Sequence, residues 1–391
     1  MPSSRVRSGL EQLLAKPGDL AGRRLGLIAN PTCVTADLVH GALALKDAKA
    51  FRLTTLFGPE HGIWADAQDL VEVEHSRDPR TGLPVFSLYG PNRVPTPEML
   101  RGLDALVFDV QDVGSRYYTF IYTMLHAMEA CARDRVRLVV LDRPNPIGAA
   151  MVDGNLLDPE FRSFVGLHPL PVRHGMTVGE LARLFREELR LAVDLQVVPM
   201  KGYQREMSFE DTGLPWVMPS PNMPTVDTAY VYPGGCLIEG TNLSEGRGTT
   251  RPFELAGAPW LDPWRLVKDL AAEEIPGAVF RPAYFTPTFH KHAGQVCGGV
   301  QVHVTDRRRF PAFLAYLLLI VHARRQEPGR FAWRQPPYEY ELVKWPIDIL
   351  CGTDTIRRTI QAGGSVKRLA SGWRRQLSVF RRRRTKHLLY G

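Results

Sequence analysis

Runs of consecutive apolar residues alternate with helical patterns along the first two hundred residues of the chain. The apolar runs predict strands at 25–29, 53–57, 85–88, 105–110, 138–141 and 195–199. Between them, apolar positions with helical spacing predict helices, including one over 177–191 that begins with a capping box of Thr177 and Glu180. Continuous apolar strands that alternate with helices predict an α/β fold, in which helices cover both faces of a parallel sheet.

Polar residues follow the carboxyl ends of several of these predicted strands. Asn30 comes after the first strand, 58–62 after the second, 109–112 after the fourth and 142–146 after the fifth. Ligands of open parallel sheets usually bind at the carboxyl edge of the strands. The pattern therefore predicts that the chemistry of the protein lies at this edge.

The regular alternation ends near residue 203. Residues 203–260 are rich in Pro, Gly and Asn, and a loop-rich stretch of this length is either a linker or a site. A second region follows, with predicted elements at 263–274 (helix), 298–304 (strand) and 311–325 (helix). We therefore predict two domains, with the parallel sheet in 1–255 and a smaller α/β domain in 256–391.

The net charge of +8 is concentrated at the end of the chain. Eleven of the 49 Lys and Arg residues follow Asp354, after which no acidic residue occurs, so the preceding chain carries 38 basic and 41 acidic residues. A slightly acidic body with one basic tail argues against a nucleic-acid partner. Apolar residues spaced through the tail predict a terminal amphipathic helix with residues 381–384 on its solvent side, and an arm that binds polyanions is the alternative.

Several function classes lack their usual signatures in this sequence. The longest apolar run, 313–321, is shorter than the roughly 18 residues of a membrane span, and no secretory signal is visible. The five cysteines are scattered without a CxxC pair, which suits a reducing compartment. The nucleotide-binding glycine fingerprints are missing, and no cysteine or carboxylate completes a metal site around His290, His292 and His303. We therefore expect no cofactor, no metal and no membrane partner.

Carboxylates in tight loops are the remaining candidates for catalysis. Glu60 lies in a proline-bounded GPEHG loop, where burial suits a general acid, and a helix cap or an ion pair is the alternative. Glu239 and Glu245 flank Asn242 in IEGTNLSEGRGT, and Arg247 follows. This loop can hold an anionic ligand and supply a base or nucleophile, but Arg247 can equally neutralise either glutamate in a structural ion pair.

A second group of side chains is predicted to bind substrate. Aromatic faces in DVQDVGSRYYTF suit a sugar ring and its arginine suits a carboxylate, although packing is an equal explanation. Several other Asn and His residues are weaker candidates for substrate binding, because Asn and His beside Pro or Gly often only stabilise turns. The predicted binding residues are His61, Asp112, Arg116, Tyr118, Arg143, Asn145, His174, Asn222, Asn242 and Arg247.

Two carboxylates across a cleft, surrounded by amides and aromatic rings, suit the cleavage of a glycosidic bond. One acid protonates the leaving oxygen, and the other acts as a base on water or as a nucleophile. If the sugar carries a 2-acetamido group, its own carbonyl can be the nucleophile, and the second carboxylate then orients it. A nucleotide-dependent enzyme is disfavoured, because the glycine fingerprint is missing.

Seven motifs in a fixed order carry a resemblance to a known family. They are GPEHG, DVQDVGSRYYT, LDRPNP, HGMTVGEL, SPNMPT, EGTNLSEGRGTTRPFE with GAPW, and the terminal LLYG. Together they resemble the exo-β-N-acetylmuramidases, the NamZ-type peptidoglycan hexosaminidases that were long filed as a domain of unknown function. The resemblance extends from about Ile28 to the C-terminus, nearly the whole chain.

The resemblance implies a glycosidase that releases N-acetylmuramic acid from the non-reducing end of peptidoglycan fragments. It also implies a Rossmann-like N-terminal domain, a smaller C-terminal domain and an active site in the cleft between them. The glutamate of the PEHG motif, the implied catalytic acid, falls on Glu60. The paired glutamates of the EGTNxSEGRG loop fall on Glu239 and Glu245, and either is a candidate.

The implied substrate is a peptidoglycan-derived oligosaccharide whose muramic acid bears a lactyl carboxylate. Arg116, Arg143 or Arg247 suits a bidentate pair with that carboxylate. Many members of the family are secreted, whereas the absence of a visible signal here predicts cytoplasmic action on imported wall fragments. The alternative function is a non-catalytic protein that binds muropeptides or another anionic ligand.

Overall fold

The apolar runs at the start of the chain form one large sheet in the computed structural model, which describes residues 5–60, 62–64 and 76–391. Its strands are β1 (Arg24–Ala29), β2 (Arg52–Gly58), β3 (Ser76–Arg77), β4 (Pro84–Ser87), β5 (Ala105–Asp109), β6 (Arg137–Leu141) and β9 (Leu195–Val198). Strands β7 (Asp153–Leu156) and β8 (Pro171–Arg173) form a separate two-stranded sheet. The spatial order is β3-β4-β2-β1-β5-β6-β9, and every neighbouring pair is parallel except β3 with β4. The strand order reverses between β1 and β5, so the carboxyl edge opens as a crevice there.

Helices cover both faces of this sheet, as the alternation of the sequence predicts. They are α1 (Gly9–Ala15), α2 (Gly41–Asp47), α3 (Pro97–Leu100), α4 (Phe120–Asp134) and α5 (Val178–Glu188). One apolar cluster lies between the sheet and the side of α1 and α2, and it includes Leu10, Leu27 and Leu45. The opposite face packs on α4 and α5, and Thr177 with Glu180 forms the predicted capping box at the start of α5.

The second region contains a smaller sheet with helices on it. Its elements are α6 (Val226–Gly235), β10 (Leu255–Ala258), α7 (Pro263–Ala271), β11 (Ala278–Phe285), β12 (Cys297–Val304), α8 (Ala312–Gln326), α9 (Pro346–Cys351), α10 (Thr355–Gln361) and α11 (Val366–Arg384). The sheet is antiparallel in the order β10-β12-β11. Its apolar side shares one continuous core with α4 and α5, so the two regions pack as neighbours. The α/β fold with a smaller second sheet is confirmed, and the boundary at residue 255 stays a prediction.

The basic tail forms the predicted terminal helix, α11, whose Leu377 and Phe380 are buried. The prediction that residues 381–384 face solvent is wrong for Arg384, which is buried. Its guanidinium donates to the carbonyl oxygens of Ala149, Ala150, His174 and Gly175. These carbonyl acceptors belong to loops of the first region, which are distant in sequence from the tail. The helical periodicity of the tail therefore could not predict that Arg384 is buried.

No helix in the described part of the chain is both long enough and apolar enough to cross a membrane.

Candidate active site

A cavity lies beside the carboxyl edge of the parallel sheet, between residues that belong to both regions of the chain. The empty space between its lining residues amounts to about 560 Å³, and part of that space is open to solvent. Its polar lining includes three glutamates and an arginine, and aromatic rings form much of the remaining wall. The lining residues are Glu60, Tyr117, Tyr118, Thr119, Phe120, Val165, Ser220, Asn222, Met223, Tyr232, Cys236, Glu239, Arg247, Phe253, Tyr338 and Glu339.

Glu60 reaches the cavity because β2 ends at Gly58 and a proline follows. Its side chain is buried, and its Oε2 accepts a hydrogen bond from the Thr119 hydroxyl at 2.5 Å. Thr119 occupies the N-cap position of α4 but makes no side-chain bond to that helix, so its hydroxyl is directed at the glutamate. The positive end of the α4 dipole therefore lies beside an acidic side chain.

Glu239 enters the cavity from the 3₁₀ turn that continues helix α6. Its Oε1 accepts from Arg247 Nη2 at 2.9 Å, and its Oε2 accepts from the Tyr338 hydroxyl at 2.8 Å. Helix α6 packs closely on α8 at Gly234, where any side chain would collide with the carbonyl of Ala312. This contact fixes the position of the turn and directs Glu239 inward.

Glu245 lies only six residues further on but is not part of the cavity lining. Its carboxylate is fully buried and pairs with His290 Nδ1 at 2.9 Å, Lys291 Nζ at 2.9 Å and Arg247 Nε at 3.4 Å. Burial alone raises the pKa of Glu245, but Lys291, His290 and Arg247 outweigh it and lower that pKa far below its usual range. We call these four side chains the ion cluster, and its contacts are those of a structural support for the loop.

Aromatic rings form one wall of the cavity. The ring of Tyr118 stands edge-on to Phe120 and Tyr232, with centroids 5.0 and 5.6 Å away, and its hydroxyl donates to Ser220 Oγ at 2.9 Å. Asn222 lies two residues beyond Ser220 in the proline-rich segment and also lines the cavity. The predicted binding residues Tyr118, Asn222 and Arg247 are therefore brought together with Glu60 and Glu239.

Asp112, Arg116 and His174 are buried away from the cavity. Asp112 accepts from the amide of Gly114 at 2.7 Å and lies 3.2 Å from His174 Nε2. Arg116 is fully enclosed, and its guanidinium donates to the carbonyl oxygens of Asn155, Leu170 and Leu350 at 2.8 to 3.0 Å. The last of these lies in α9, so Arg116 links the two regions of the chain rather than facing a substrate.

The remaining predicted residues have structural contacts outside the cavity. Arg143 forms a bidentate pair with Asp109 at 2.5 and 2.8 Å, at the carboxyl ends of β6 and β5. Asn145 bonds to the backbone of Ile147 and Met176, which is the turn-stabilising alternative. Asn242 holds the segment that carries Arg330 and Ala332 through two side-chain bonds. His61 lies outside the described residues.

Glu339 is a cavity residue that sequence reasoning missed. Residues 339 and 340 form the two-residue turn of a short hairpin, in which Tyr338 and Glu341 exchange two backbone bonds of 2.9 Å. Glu339 and Tyr340 both have left-handed backbone angles, with φ of 46° and 65°. The sequence signal that could have indicated Glu339 is the alternation of Tyr and Glu in YEYE, which follows two prolines. This segment is not one of the motifs that carry the family resemblance.

An α/β protein with acidic side chains from separate loops around one aromatic-walled cavity has the layout of an enzyme that cleaves glycosidic bonds. Comparison with known families agrees with this class. The N-terminal model of the exo-beta-N-acetylmuramidase NamZ matches residues 25–227, and the C-terminal model matches residues 230–390. The chain belongs to this family of glycosidases, and the resemblance carried by its motifs is confirmed.

Individual relatives agree over almost the full length of the chain. The peptidoglycan beta-N-acetylmuramidase NamZ of Bacillus subtilis (strain 168) is 47% identical over 387 residues, which cover 99% of this chain and 92% of that protein. A crystal structure of a DUF1343 family protein from Bacteroides fragilis NCTC 9343 has a TM-score of 0.89 and 34% identity. A second DUF1343 family protein from the same organism has a TM-score of 0.78 and 30% identity, and both comparisons cover 99% of each chain.

Proposed function

We propose that this protein is a glycosidase that releases N-acetylmuramic acid from the non-reducing end of peptidoglycan fragments. The Bacillus subtilis relative is a peptidoglycan beta-N-acetylmuramidase, and its similarity extends over nearly the whole chain. The observation that carries the proposal is that Glu60 and Glu239, which are far apart in sequence, line the same cavity. Most enzymes that catalyse this reaction use two acidic groups that flank the cleaved bond.

The family resemblance and the contacts of Glu239 suggest how the two glutamates divide the work. Glu60 occupies the position that the resemblance implies for the catalytic acid, and Glu239 faces the guanidinium of Arg247. A guanidinium favours the negatively charged form of its partner. We therefore assign Glu60 as the acid that protonates the leaving oxygen and Glu239 as the carboxylate that stays ionised. Glu239 then activates water or orients the 2-acetamido group of the sugar.

The cavity also supplies contacts for the sugar itself. Tyr118 and Tyr232 give it an aromatic wall, and Asn222 adds an amide. Of the three arginines that the sequence suggests for the lactyl carboxylate, Arg116 and Arg143 are enclosed elsewhere, and Arg247 lines the cavity. We therefore assign Arg247 to that carboxylate. The terminal sugar would thus lie between the two regions of the chain.

The product distinguishes the two roles of Glu239. A water molecule activated directly by Glu239 inverts the anomeric centre, whereas participation of the 2-acetamido group retains it. Proton NMR during the first minutes of turnover separates the α-anomer from the β-anomer. Initial release of the α-anomer supports direct activation of water, and initial release of the β-anomer supports participation of the acetamido group.

Turnover of a nitrophenyl N-acetylmuramoside and of the disaccharide of N-acetylmuramic acid and N-acetylglucosamine tests the proposal. Glu60→Gln is expected to lower kcat for the disaccharide by about a thousandfold, because it removes the proton that the sugar leaving group needs. The loss should be smaller for the nitrophenyl substrate, whose leaving group needs little protonation. Binding of the disaccharide by calorimetry should persist in the variant.

The alternative is a non-catalytic protein that binds muropeptides. It predicts binding of the disaccharide by the wild type without release of either sugar, and this result would replace the enzyme proposal. A cytoplasmic location is part of the proposal and is tested separately, by following the protein through cell fractionation.

A further inference from the structure

Three side chains in mutual contact lie beside the cavity, and we call them the rim patch: Arg93, which is half-buried, Phe164, which is buried, and Tyr340, which is exposed. The Arg93 guanidinium lies over both rings, 4.5 Å from the centroid of Tyr340 and 5.3 Å from that of Phe164. The two rings stand edge-on, with centroids 5.5 Å apart. Tyr340 is 44% exposed, so its ring is available to a ligand.

The rim patch adjoins the cavity at two points of the chain. Phe164 is followed by Val165, which lines the cavity, and Tyr340 is preceded by Glu339, which also lines it. Along the second segment the side chains change from buried at Tyr338 to exposed at Tyr340. The patch therefore lies where the wall of the cavity reaches the surface.

The backbone holds Tyr340 there at an energetic cost. Both turn residues adopt left-handed angles, a conformation that favours Asn and Gly and that costs other residues about 1 kcal/mol or more each. Tyr338 anchors one side of the turn through its bond to Glu239, and the ring of Tyr340 packs on Tyr89 with centroids 6.0 Å apart. Strain that surrounding contacts maintain is typical of residues that meet a ligand.

We propose that the rim patch is the binding site for the leaving-group side of the substrate, with Tyr340 beneath the first sugar after the cleaved bond and Arg93 on the carboxylate of the next muramyl residue. This inference rests on the proposed function. An enzyme that removes a terminal sugar holds that sugar in the cavity, so the rest of the glycan must leave across the rim. The exposed Tyr340 ring offers that glycan an apolar face.

The chemistry of Arg93 favours a carboxylate. Its guanidinium lies over two aromatic rings, which stabilise its charge without using its N–H donors. Among residues 5–60, 62–64 and 76–391, no acidic side chain forms an ion pair with Arg93. A planar carboxylate matches two of these donors, and the lactyl groups of a muramyl glycan supply one in every second sugar.

Three substrates of increasing length test the inference: the nitrophenyl muramoside, the disaccharide and a tetrasaccharide of two repeats. Arg93→Ala should raise KM for the tetrasaccharide about tenfold and leave the two shorter substrates within twofold of wild type. Tyr340→Asn, which suits the left-handed turn, should raise KM about fivefold for both the disaccharide and the tetrasaccharide, but not for the nitrophenyl muramoside. Arg375→Ala, at an exposed arginine of α11, is the control and should change none of them.

A modified substrate isolates the proposed ion pair. If the carboxylate of the second muramyl residue is amidated, wild type and Arg93→Ala should have equal KM values for the tetrasaccharide. An equal loss on all three substrates would assign both residues to support of the turn and overturn the inference, as would unchanged KM values in both variants. Absence of turnover by the wild type on every substrate would instead refute the proposed function, and the inference with it.

Discussion

Glu239 and Glu245 belong to one loop and share Arg247 as a partner, yet they lie in opposite kinds of surroundings. Glu239 faces a cavity and has one cation and one hydroxyl beside it. Glu245 has no part in the cavity lining and is enclosed by Lys291, His290 and Arg247. The first can meet a substrate, whereas the second is already saturated by protein charges.

An acidic motif therefore does not by itself mark a catalytic group. Both glutamates are buried beside Arg247, so residue type and burial do not separate them. Open space next to the carboxylate does. The ion cluster gives the loop a rigid base, and the cavity side of the same loop carries the side chain that we assign to the reaction.

The largest expected effect is on turnover, in Glu239→Gln. Loss of the carboxylate should lower kcat about a thousandfold, because amide oxygen neither activates water nor stabilises positive charge at the anomeric carbon as well. Arg247 keeps Glu245 as a partner, so the unfolding temperature should change little. Initial rates on the disaccharide and a thermal melt check this. A kcat within tenfold of wild type would remove Glu239 from the mechanism.

Glu245→Gln should show the opposite result. Removal of the one carboxylate from a buried ion cluster leaves Lys291 and His290 without their counter-charge, which costs about 3–5 kcal/mol of unfolding free energy. The remaining folded protein should keep kcat within a few-fold of wild type. Urea denaturation and active-site titration measure the two quantities. If stability is unchanged and turnover is lost, the roles of the two glutamates are the reverse of our assignment.

The same cluster predicts a dependence of stability on pH. The pKa of Glu245 is lower in the folded protein than its ordinary value of 4.5, so its contribution is fully present above that pH and is lost as the pH falls below it. Wild type should therefore lose stability in acid more steeply than Glu245→Gln. Urea midpoints measured between pH 6 and pH 3 compare the slopes, and parallel slopes would contradict the prediction.

The smallest expected effect concerns the terminal LLYG motif. The Tyr390 hydroxyl donates to Asp142 at 2.6 Å and ties the C-terminus to the end of β6. Burial raises the pKa of Asp142 to about 6, and the bond from Tyr390 favours its ionised form. Tyr390→Phe should therefore cost about 2 kcal/mol at pH 8 and less at pH 5, where Asp142 is protonated.

Urea denaturation of Tyr390→Phe at the two pH values measures this difference. Tyr284→Phe, at an exposed tyrosine, is the control and should cost little at either pH. An equal cost for Tyr390→Phe at pH 5 and pH 8 would show that the hydroxyl does not act through Asp142.

The strands and helices could be predicted to within a few residues because periodicity is local. The capping box at Thr177 and the location of polar loops at the carboxyl edge of the sheet follow from the same local rules. Within those loops, prediction depended on side-chain direction. Glu60 and Tyr118 turn toward the cavity, while Asp112 and Arg116 turn into the interior, and nothing in the spacing of these residues separates the two outcomes.

Secondary structure, the α/β class and the family follow from the amino-acid sequence, since each depends on patterns of residue types along the chain. The tertiary structure decided which glutamate of the 239–245 loop is open to a ligand, why Arg384 is buried and how Glu339 reaches the cavity. Each of these depends on partners tens to hundreds of residues away. The burial of a side chain and its electrostatic environment depend on the groups that surround it in space, and only the folded chain brings those groups together.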